Sequence, residues 1–179
     1  MGRTREAALN GAVAAIAKYG ARKATMGDIA MLAGIAKATL YNHFRTRDDV
    51  YAAVLVAQVD EIAAAASERE DFVGALAEAA RLVAQHPALR KVVAEDPAIL
   101  VGLLSVHGAE LSAAARAHVS EALQRSGCST TQAAVGLVAS FLASQIFTPT
   151  DAAERGAIAE LICAAALRDS STQAVPRGQ

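Results

Sequence analysis

The sequence predicts an all-α protein of about nine helices, with an N-terminal three-helix, helix-turn-helix domain followed by a helical body. Three observations support this fold class. About a quarter of the residues are Ala and only 4 are Pro, a composition that favours helix. No run alternates β-branched with polar residues as a half-buried strand would. Residues 25–51 are typical of two short helices joined by a tight Gly turn.

Helices 1 and 2 are predicted from apolar spacing. Apolar residues recur at helical intervals between Leu9 and Gly20, which places helix 1 at about 5–19. Helix 2 covers about 26–33, with its own inner stripe. Gly34 follows, and Gly tolerates the left-handed conformation that ends many helices.

Helix 3 is predicted over about 37–43. At about 100° per residue, Leu40 and Phe44 lie about 40° apart and face inward. The opposite side presents Ala38 and Asn42, flanked by Thr39 and Tyr41. An ordinary helical hairpin has the same periodicity, so spacing alone leaves both interpretations open.

Capping residues divide the first part of the body. Thr46 and Asp49 resemble a capping box, so helix 4 begins near residue 47 and continues to about 66. Ser67 and Glu70 form a second such pair, which predicts that helix 5 opens there and ends before Pro87.

Prolines and glycines divide the rest. Pro87 and Pro97 suit first helical turns, so helices 6 and 7 share the stretch from 87 to about 126, with Gly102 and Gly108 as candidate breaks. Ser129-x-x-Gln132 predicts the start of helix 8, which extends through residue 147. Helix 9 follows the turn at 148–151 and extends to about 167, before a polar, frayed tail.

Helices 8 and 9 carry the predicted dimer interface. Helix 8 is apolar nearly all round, and such a helix needs burial on both sides. Burial inside one monomer would satisfy this, but we favour a two-fold interface as well. The candidate interface residues are Val135, Val138, Phe141, Leu142, Ile158, Leu161, Ile162 and Ala165.

The first 50 residues resemble the signature of the TetR (tetracycline-repressor) family of transcriptional regulators. The matching residues are Thr25, Ile29-Ala30, Ala33-Gly34-Ile35, Thr39-Leu40-Tyr41-Asn42-His43-Phe44, Arg47 and Asp48-Asp49. Two positions depart from the pattern: Ala36 stands where Ser or Thr commonly caps the recognition helix, and Ala38 where Gly is frequent. A lost cap costs about 1 kcal/mol. The resemblance also implies that the last two helices pair with those of a second subunit in a four-helix bundle.

The resemblance implies that helix 3 enters the major groove. Asn42 can reach a base edge, and the methyl groups of Ala38 and Thr39 can touch thymine. Tyr41 and His43 are the aromatic pair that contacts phosphates in the family. The remaining candidates supply charge, a basic arm or a helix end: Lys37, Arg45, Arg47, Arg3, Arg5 and Thr25.

Each of these residues also has a purely structural interpretation. His43 could cap its helix, Tyr41 could pack on helix 1, and Arg45 could be a solvated surface residue. The distribution of charge favours DNA. Residues 1–51 hold 8 Lys and Arg against 4 Asp and Glu, whereas the remainder holds 9 against 14. An excess of this size could also arise by chance.

No pattern of catalysis or metal binding is apparent. The sequence has no Gly-x-Ser-x-Gly, no phosphate loop and no paired Cys or His at ligand spacing, so we expect no enzyme activity, metal or cofactor. Cys128 and Cys163 lie on separate predicted helices and have the character of small core residues, although a disulfide or redox sensor remains open. Without an export signal or an apolar run long enough to span a membrane, we expect a cytoplasmic protein.

An effector pocket enclosed by helices 4 to 8 is predicted. Its inward-facing candidates are Phe72, Leu76, Leu104, His107, Leu111, Phe141 and Gln145, although the apolar ones could equally be plain core. The body has few aromatic residues, since all 3 Tyr lie within the first 51 residues and Trp is absent. An aliphatic or weakly polar ligand is therefore expected.

These observations predict a homodimeric repressor that binds a palindromic double-stranded DNA operator and is released by a small, largely apolar effector. The predicted domains are a DNA-binding domain at 1–47, a ligand-binding and dimerisation domain at 48–170, and a frayed tail at 171–179. A helical interaction module without an effector is the main alternative, and a small helical enzyme is a weaker one.

Overall fold

The computed structural model describes residues 2–173, and the regular structure in that range is entirely helical, which confirms the all-α class. Nine helices occupy the described range. They are α1 (Gly2–Tyr19), α2 (Met26–Leu32), α3 (Lys37–His43), α4 (Arg47–Ala66), α5 (Phe72–Gln85), α6 (Pro87–Glu95), α7 (Pro97–Arg125), α8 (Gln132–Phe147) and α9 (Ala152–Gln173).

Two predicted capping boxes were wrong, and each real cap lies a few residues later. Ser67 Oγ donates to Ala64 O at 2.6 Å, so Ser67 closes the end of α4 instead of opening α5. Asp71 caps α5, since its Oδ1 accepts from Gly74 N–H at 2.7 Å. At α8 the cap is Thr131, whose side chain accepts from the N–H of Ala134.

The prolines begin α6 and α7 as predicted, but neither Gly102 nor Gly108 interrupts α7, which is one helix of 29 residues. Helix α9 also continues past the predicted end near 167, to Gln173. The predicted tail at 171–179 therefore begins within α9, and its positions from 174 onward lie outside the described residues.

The long helix α7 also corrects an expectation about membranes. Over an 18-residue window its mean hydropathy is 1.6, so by length and composition it is sufficient to cross a membrane. A single such helix is weak evidence, because core helices of soluble proteins have the same properties. The expectation that no apolar stretch reaches this length was wrong.

The chain folds into two compact units. The first consists of residues up to Val59 together with His86–Leu111. Its core includes the fully buried side chains of Ile29, Leu40 and Val50, from α2, α3 and α4. Burying a Leu or Val side chain stabilises a fold by about 1.5–3 kcal/mol, so these side chains hold the three short elements in place.

The second unit consists of Asp60–Gln85 and the chain from Ser112 onward. Its core forms between α5, the end of α7, α8 and α9, and its most buried side chains include Leu123, Val138 and Ala159. Gln145 is also fully buried. Its Oε1 accepts from the N–H and the hydroxyl of Thr150 at 3.0 and 2.9 Å, which fixes the turn between α8 and α9.

Candidate DNA-binding surface

Helix α3 divides into a buried side and an exposed side as its periodicity predicted. Leu40 is fully buried and Phe44, at the C-cap, is 6% exposed. Lys37, Ala38, Tyr41, Asn42 and His43 are exposed, and Thr39 is half-buried. The polar and aromatic side chains expected to meet DNA are therefore on the solvent side of a helix whose other side is anchored in a core.

The turn between α2 and α3 is fixed by its backbone. Gly34 has φ of 66°, the left-handed conformation in which Gly carries no Cβ penalty. Gly34 N–H donates to Met31 O at 3.2 Å and Ile35 N–H to Ala30 O at 3.1 Å. This pair of bonds is a Schellman motif, and it sets the direction in which the chain enters α3.

The crossing of α1 and α2 depends on Gly11, which sequence reasoning missed. A Cβ at this position would lie 2.6 Å from Ala33 Cβ and 2.7 Å from both Ala33 N and Ile29 O. Ordinary carbon contacts are about 3.5–4.0 Å. The two helices therefore approach so closely that only Gly fits. Gly11 lies outside the helix 1 stripe, and its importance is visible only once the neighbouring helix is in place.

The start of α3 has no side-chain cap. Its N-cap residue is Ala36, with no hydrogen bond from a side chain, as the departure from the family pattern implied. The first turn of α3 is therefore stabilised by backbone bonds such as Leu40 N–H to Ala36 O, at 3.1 Å, and by the burial of Leu40.

Thr25 does not present the free hydroxyl that a phosphate contact would need. Its N–H and its hydroxyl both donate to Asp28 Oδ2, at 2.9 and 2.6 Å, and its Oγ1 accepts from Asp28 N–H at 3.2 Å. These bonds lower the pKa of Asp28, so a carboxylate occupies the start of α2. These bonds favour a capping role for the Thr25 side chain over the predicted phosphate contact.

Arg47 is likewise turned inward. Its Nη1 donates to Arg22 O at 2.9 Å and to Ala24 O at 3.2 Å, and its guanidinium lies 5.5 Å from the centre of the Tyr51 ring. Tyr51 OH donates to Ala21 O at 3.0 Å from a buried position. The two side chains tie the loop between α1 and α2 to α4. These contacts favour a structural role for Arg47 over the predicted contact with DNA.

The capping box predicted at the start of α4 is present. Thr46 N–H donates to Asp49 Oδ2 at 2.9 Å, and Asp49 N–H donates to Thr46 Oγ1 at 3.1 Å. Hydrogen bonding to Thr46 lowers the pKa of Asp49. The residue preceding this box, Arg45, is exposed.

The other predicted cations stay on the surface. Arg3 and Arg5 lie exposed on the first turn of α1, and the Arg5 guanidinium is 5.8 Å from the centre of the Phe44 ring. The Lys37 ammonium is 5.9 Å from the Tyr41 ring, so the charge and the aromatic group lie together at one end of α3. Both positions suit contacts with phosphates.

Two further cations were missed. Arg22 and Lys23 lie exposed in the loop before α2, and Arg22 makes only a long ion pair, 3.8 Å, to Asp96. The sequence could have identified these two cations, because they are an adjacent basic pair just before the motif that begins at Thr25.

The structure separates the predicted interface residues into buried and exposed groups. Val135, Val138, Phe141 and Ile162 lie at most 8% exposed within the core of the second unit, so they stabilise the monomer instead of a dimer. Leu142 and Ile158 pack partly against the same core. Leu161 and Ala165 are exposed, and Leu161 is 68% accessible.

The predicted pocket residues are divided between the two units. Phe72, Leu76 and Phe141 belong to the core of the second unit, and Gln145 is engaged with Thr150. Leu104, His107 and Leu111 are half-buried residues of α7 in the first unit. The second unit contains a cleft of about 450 Å³ between the segment 67–75, the end of α7, residue 128 and α9, and of the predicted set only Phe72 lines it.

A helix-turn-helix with an exposed recognition helix, attached to an otherwise helical chain, defines a class of DNA-binding regulators. Residues 8–54 match the family model described as "Bacterial regulatory proteins, tetR family". This stretch, about a quarter of the chain, is therefore similar to the N-terminal part of TetR-family regulators.

Solved structures share the fold over most of the chain. The TetR family repressor AlkX from Dietzia sp. strain DQ12-45-1b, implicated in biodegradation of n-alkanes, is 20% identical with a TM-score of 0.74, covering 92% of this chain and 95% of that one. A putative TetR-family regulator from Rhodococcus sp. is 20% identical with a TM-score of 0.62, covering 93% and 100%. The fatty acid degradation regulator FadR from Bacillus halodurans is 21% identical with a TM-score of 0.54, covering 91% and 96%. No curated protein sequence matches the chain.

Proposed function

We propose that this chain is a TetR-family transcriptional regulator, a repressor that binds a palindromic operator as a homodimer, with residues 1–47 as the reading domain and 48–170 as the regulatory domain. The observation that carries the proposal is the exposed side of α3, where Tyr41, Asn42 and His43 project from a helix anchored by Leu40. Two identical domains related by a two-fold axis would read two half-sites of opposite orientation.

On this surface the small and amide side chains of Ala38, Thr39 and Asn42 face base edges, and the phosphate contacts come from Lys37, Tyr41, His43 and the exposed cations around them. Fluorescence anisotropy with DNA from the promoter region next to the chain's own gene tests the proposal. We expect saturable binding that non-specific competitor DNA does not remove. We also expect footprinting to show a protected region that is symmetric about its centre. A footprint over a single asymmetric half-site would contradict it.

Support for a dimer comes from the exposed sides of α8 and α9. Leu137 is 48% and Leu161 is 68% exposed, and large apolar side chains at such exposure mark contact surfaces. The exposed side of α9 also carries Ala157, one turn before Leu161, and a small residue there would allow the backbones of two subunits to approach closely. We therefore move the proposed interface from the buried residues of these helices to their exposed ones.

The oligomeric state of variants tests this interface. Leu161→Glu is expected to yield folded monomers in sedimentation experiments, because a charge would be buried against an apolar partner. Ile162→Val, at the adjacent buried position, is the matched control and is expected to cost about 0.5–1.5 kcal/mol of stability without changing the dimer. A dimer that survives Leu161→Glu unchanged would refute this surface.

We propose a small, largely apolar effector. The chain has no Trp and few aromatic residues to build an aromatic cage. Of the similar proteins, AlkX is implicated in biodegradation of n-alkanes and FadR is a fatty acid degradation regulator. Native mass spectrometry of the purified protein, before and after extraction with organic solvent, tests for a retained ligand of this class.

Once such a ligand is identified, linkage requires that it lower operator affinity by the same factor by which operator lowers ligand affinity. Titrating the ligand with and without operator measures both. Equal ligand affinity in the two titrations, or release through loss of the dimer, would rule out this mode of regulation.

A further inference from the structure

The second unit brings its two cysteines together, although they are 35 positions apart in the sequence. Cys128 and Cys163 both line the 450 Å³ cleft and both pack at the same apolar core. Neither is in a disulfide. Cys128 is buried, whereas Cys163 is partly exposed. One thiol is therefore partly open to a solute, whereas the other is buried.

The backbone around Cys128 is held on both sides. Gly127 has φ of 68° and ends α7, and Cys128 N–H donates to Leu123 O at 2.9 Å. The next residue, Ser129, donates its N–H to Ala166 O of α9 at 3.3 Å. Since Cys163 lies one helical turn before Ala166, this bond keeps residue 128 close to the same turn of α9.

The environment of the thiols differs in a way that assigns their roles. Burial raises the pKa of Cys128, and the neighbouring Cys163, through its charge and a hydrogen bond between the two side chains, raises it further. Because a thiolate is the nucleophile, Cys128 is the poorer first attacker. Cys163 also lies two positions, about 200°, from Leu161 on α9, so the dimer surface proposed above would leave it accessible.

We propose that Cys163 and Cys128 form a peroxide-sensitive thiol pair. The Cys163 thiolate attacks a hydroperoxide oxygen, the O–O bond breaks, and sulfenic acid forms at Cys163 while the peroxide leaves as an alcohol or as water. The Cys128 sulfur then attacks the sulfenic sulfur, the S–S bond forms, the S–O bond breaks and water leaves. Overall, two thiols are oxidised by two electrons and one hydroperoxide is reduced.

The product would join the turn after α7 to α9 covalently. In a reducing compartment a disulfide of this kind is transient and serves sensing instead of structure. The inference concerns the second unit alone and does not depend on the proposed operator or effector.

The test is oxidation of the full-length protein with hydrogen peroxide and, separately, with an organic hydroperoxide, followed by alkylation and mass spectrometry. Trypsin cleavage after Arg125, Arg155 and Arg168 places the two cysteines on different peptides, so an intrachain disulfide appears as one linked pair. The expected result is loss of both free thiols without a crosslink between chains, and recovery of both thiols on reduction. In Cys128→Ser, dimedone is expected to label Cys163 as a sulfenic acid.

Cys163→Ser is the matched variant, because it removes the proposed attacker and keeps the buried thiol. Cys128 is then expected to stay reduced under the same treatment, with helicity unchanged by circular dichroism. Oxidation of Cys128 at the wild-type rate in this variant would overturn the assigned order. Crosslinking between chains, or two unmodified thiols in the wild type at peroxide concentrations that oxidise free glutathione, would overturn the pair itself.

Discussion

Gly11→Ala changes the crossing of α1 and α2 with the smallest available perturbation. The added Cβ would meet Ala33 Cβ at 2.6 Å and two backbone atoms at 2.7 Å. Ordinary packing needs about 3.5–4.0 Å, so α2 must move by about 1 Å. Backbone atoms at the end of a helix cannot rotate out of the way as the tip of a side chain can. The strain therefore reaches the turn at Gly34 and the position of α3.

Two terms of opposite sign determine how much Gly11→Ala changes the free energy of unfolding. Replacing Gly by Ala inside a helix gains about 1 kcal/mol of helix propensity. Overpacking of a well-packed contact costs about 1–3 kcal/mol. Gly102→Ala has the first term alone, because Gly102 is also inside a helix and a Cβ there meets no atom within 4 Å, so the difference between the two variants isolates the second term. The two variants should differ in free energy of unfolding by about 1–3 kcal/mol, with Gly11→Ala the less stable.

Urea unfolding followed by circular dichroism measures this difference, and anisotropy with the operator measures its consequence. Gly11→Ala is expected to bind DNA more weakly even where it is fully folded, because α3 is displaced from α1. Gly102→Ala should bind as the wild type does. If Gly11→Ala were as stable as Gly102→Ala and bound operator normally, the close approach would not be a constraint and the reasoning would fail.

Three further predictions concern the same unit. Tyr41→Phe and His43→Ala should weaken specific and non-specific DNA binding alike with helicity retained, since phosphate contacts carry no sequence information; a changed sequence preference would make either residue a base reader. Arg45→Gln should reduce the steepness of log affinity against log salt concentration by about the amount that one phosphate contact contributes. Arg47→Gln should leave that slope unchanged and lower the free energy of unfolding by about 1.5–3 kcal/mol, the scale of hydrogen bonds from a charged group. The lowered pKa of Asp49 means that its stabilising effect is present above the unfolded-state pKa of about 3.9 and is lost as pH falls through the lower folded value. In acid unfolding, Asp49→Asn should therefore lack the part of the stability loss that is due to Asp49. A dependence of stability on pH identical to that of the wild type would contradict the stabilising role of Asp49.

The recognition helix could be predicted because its periodicity and its residue identities agree. Leu40 and Phe44 have no alternative to burial, and a helix that buries them must expose Tyr41 and His43. The prolines at 87 and 97 were equally informative, since Pro lacks the N–H that an interior helical position needs. Each of these features depends only on residues that are close together in the sequence.

Other features depend on partners that the sequence does not display. Ser67 and Asp71 both begin plausible capping patterns, and only the packed structure selects Asp71. Helix α8 is apolar on every side, so its sequence could not say that Val135 and Val138 would face the monomer core while Leu137 stayed outside. The same limit applies to Gly11, whose neighbour is a different helix.

Folding engages most of the acidic residues of the N-terminal region. Three of its four acidic residues are engaged within the fold: Asp28 and Asp49 in capping boxes, and Asp48 beside Arg47 at 3.7 Å. Carboxylates that accept N–H bonds at the start of a helix interact favourably with the positive end of the helix dipole, which partly offsets their negative charge. Arg47 is itself engaged with backbone carbonyls, so the cations that stay exposed lie around α3 and the start of α1. A count of charges gives this region a net +4, but the folding of its acids into caps is what leaves those cations available to a phosphate backbone.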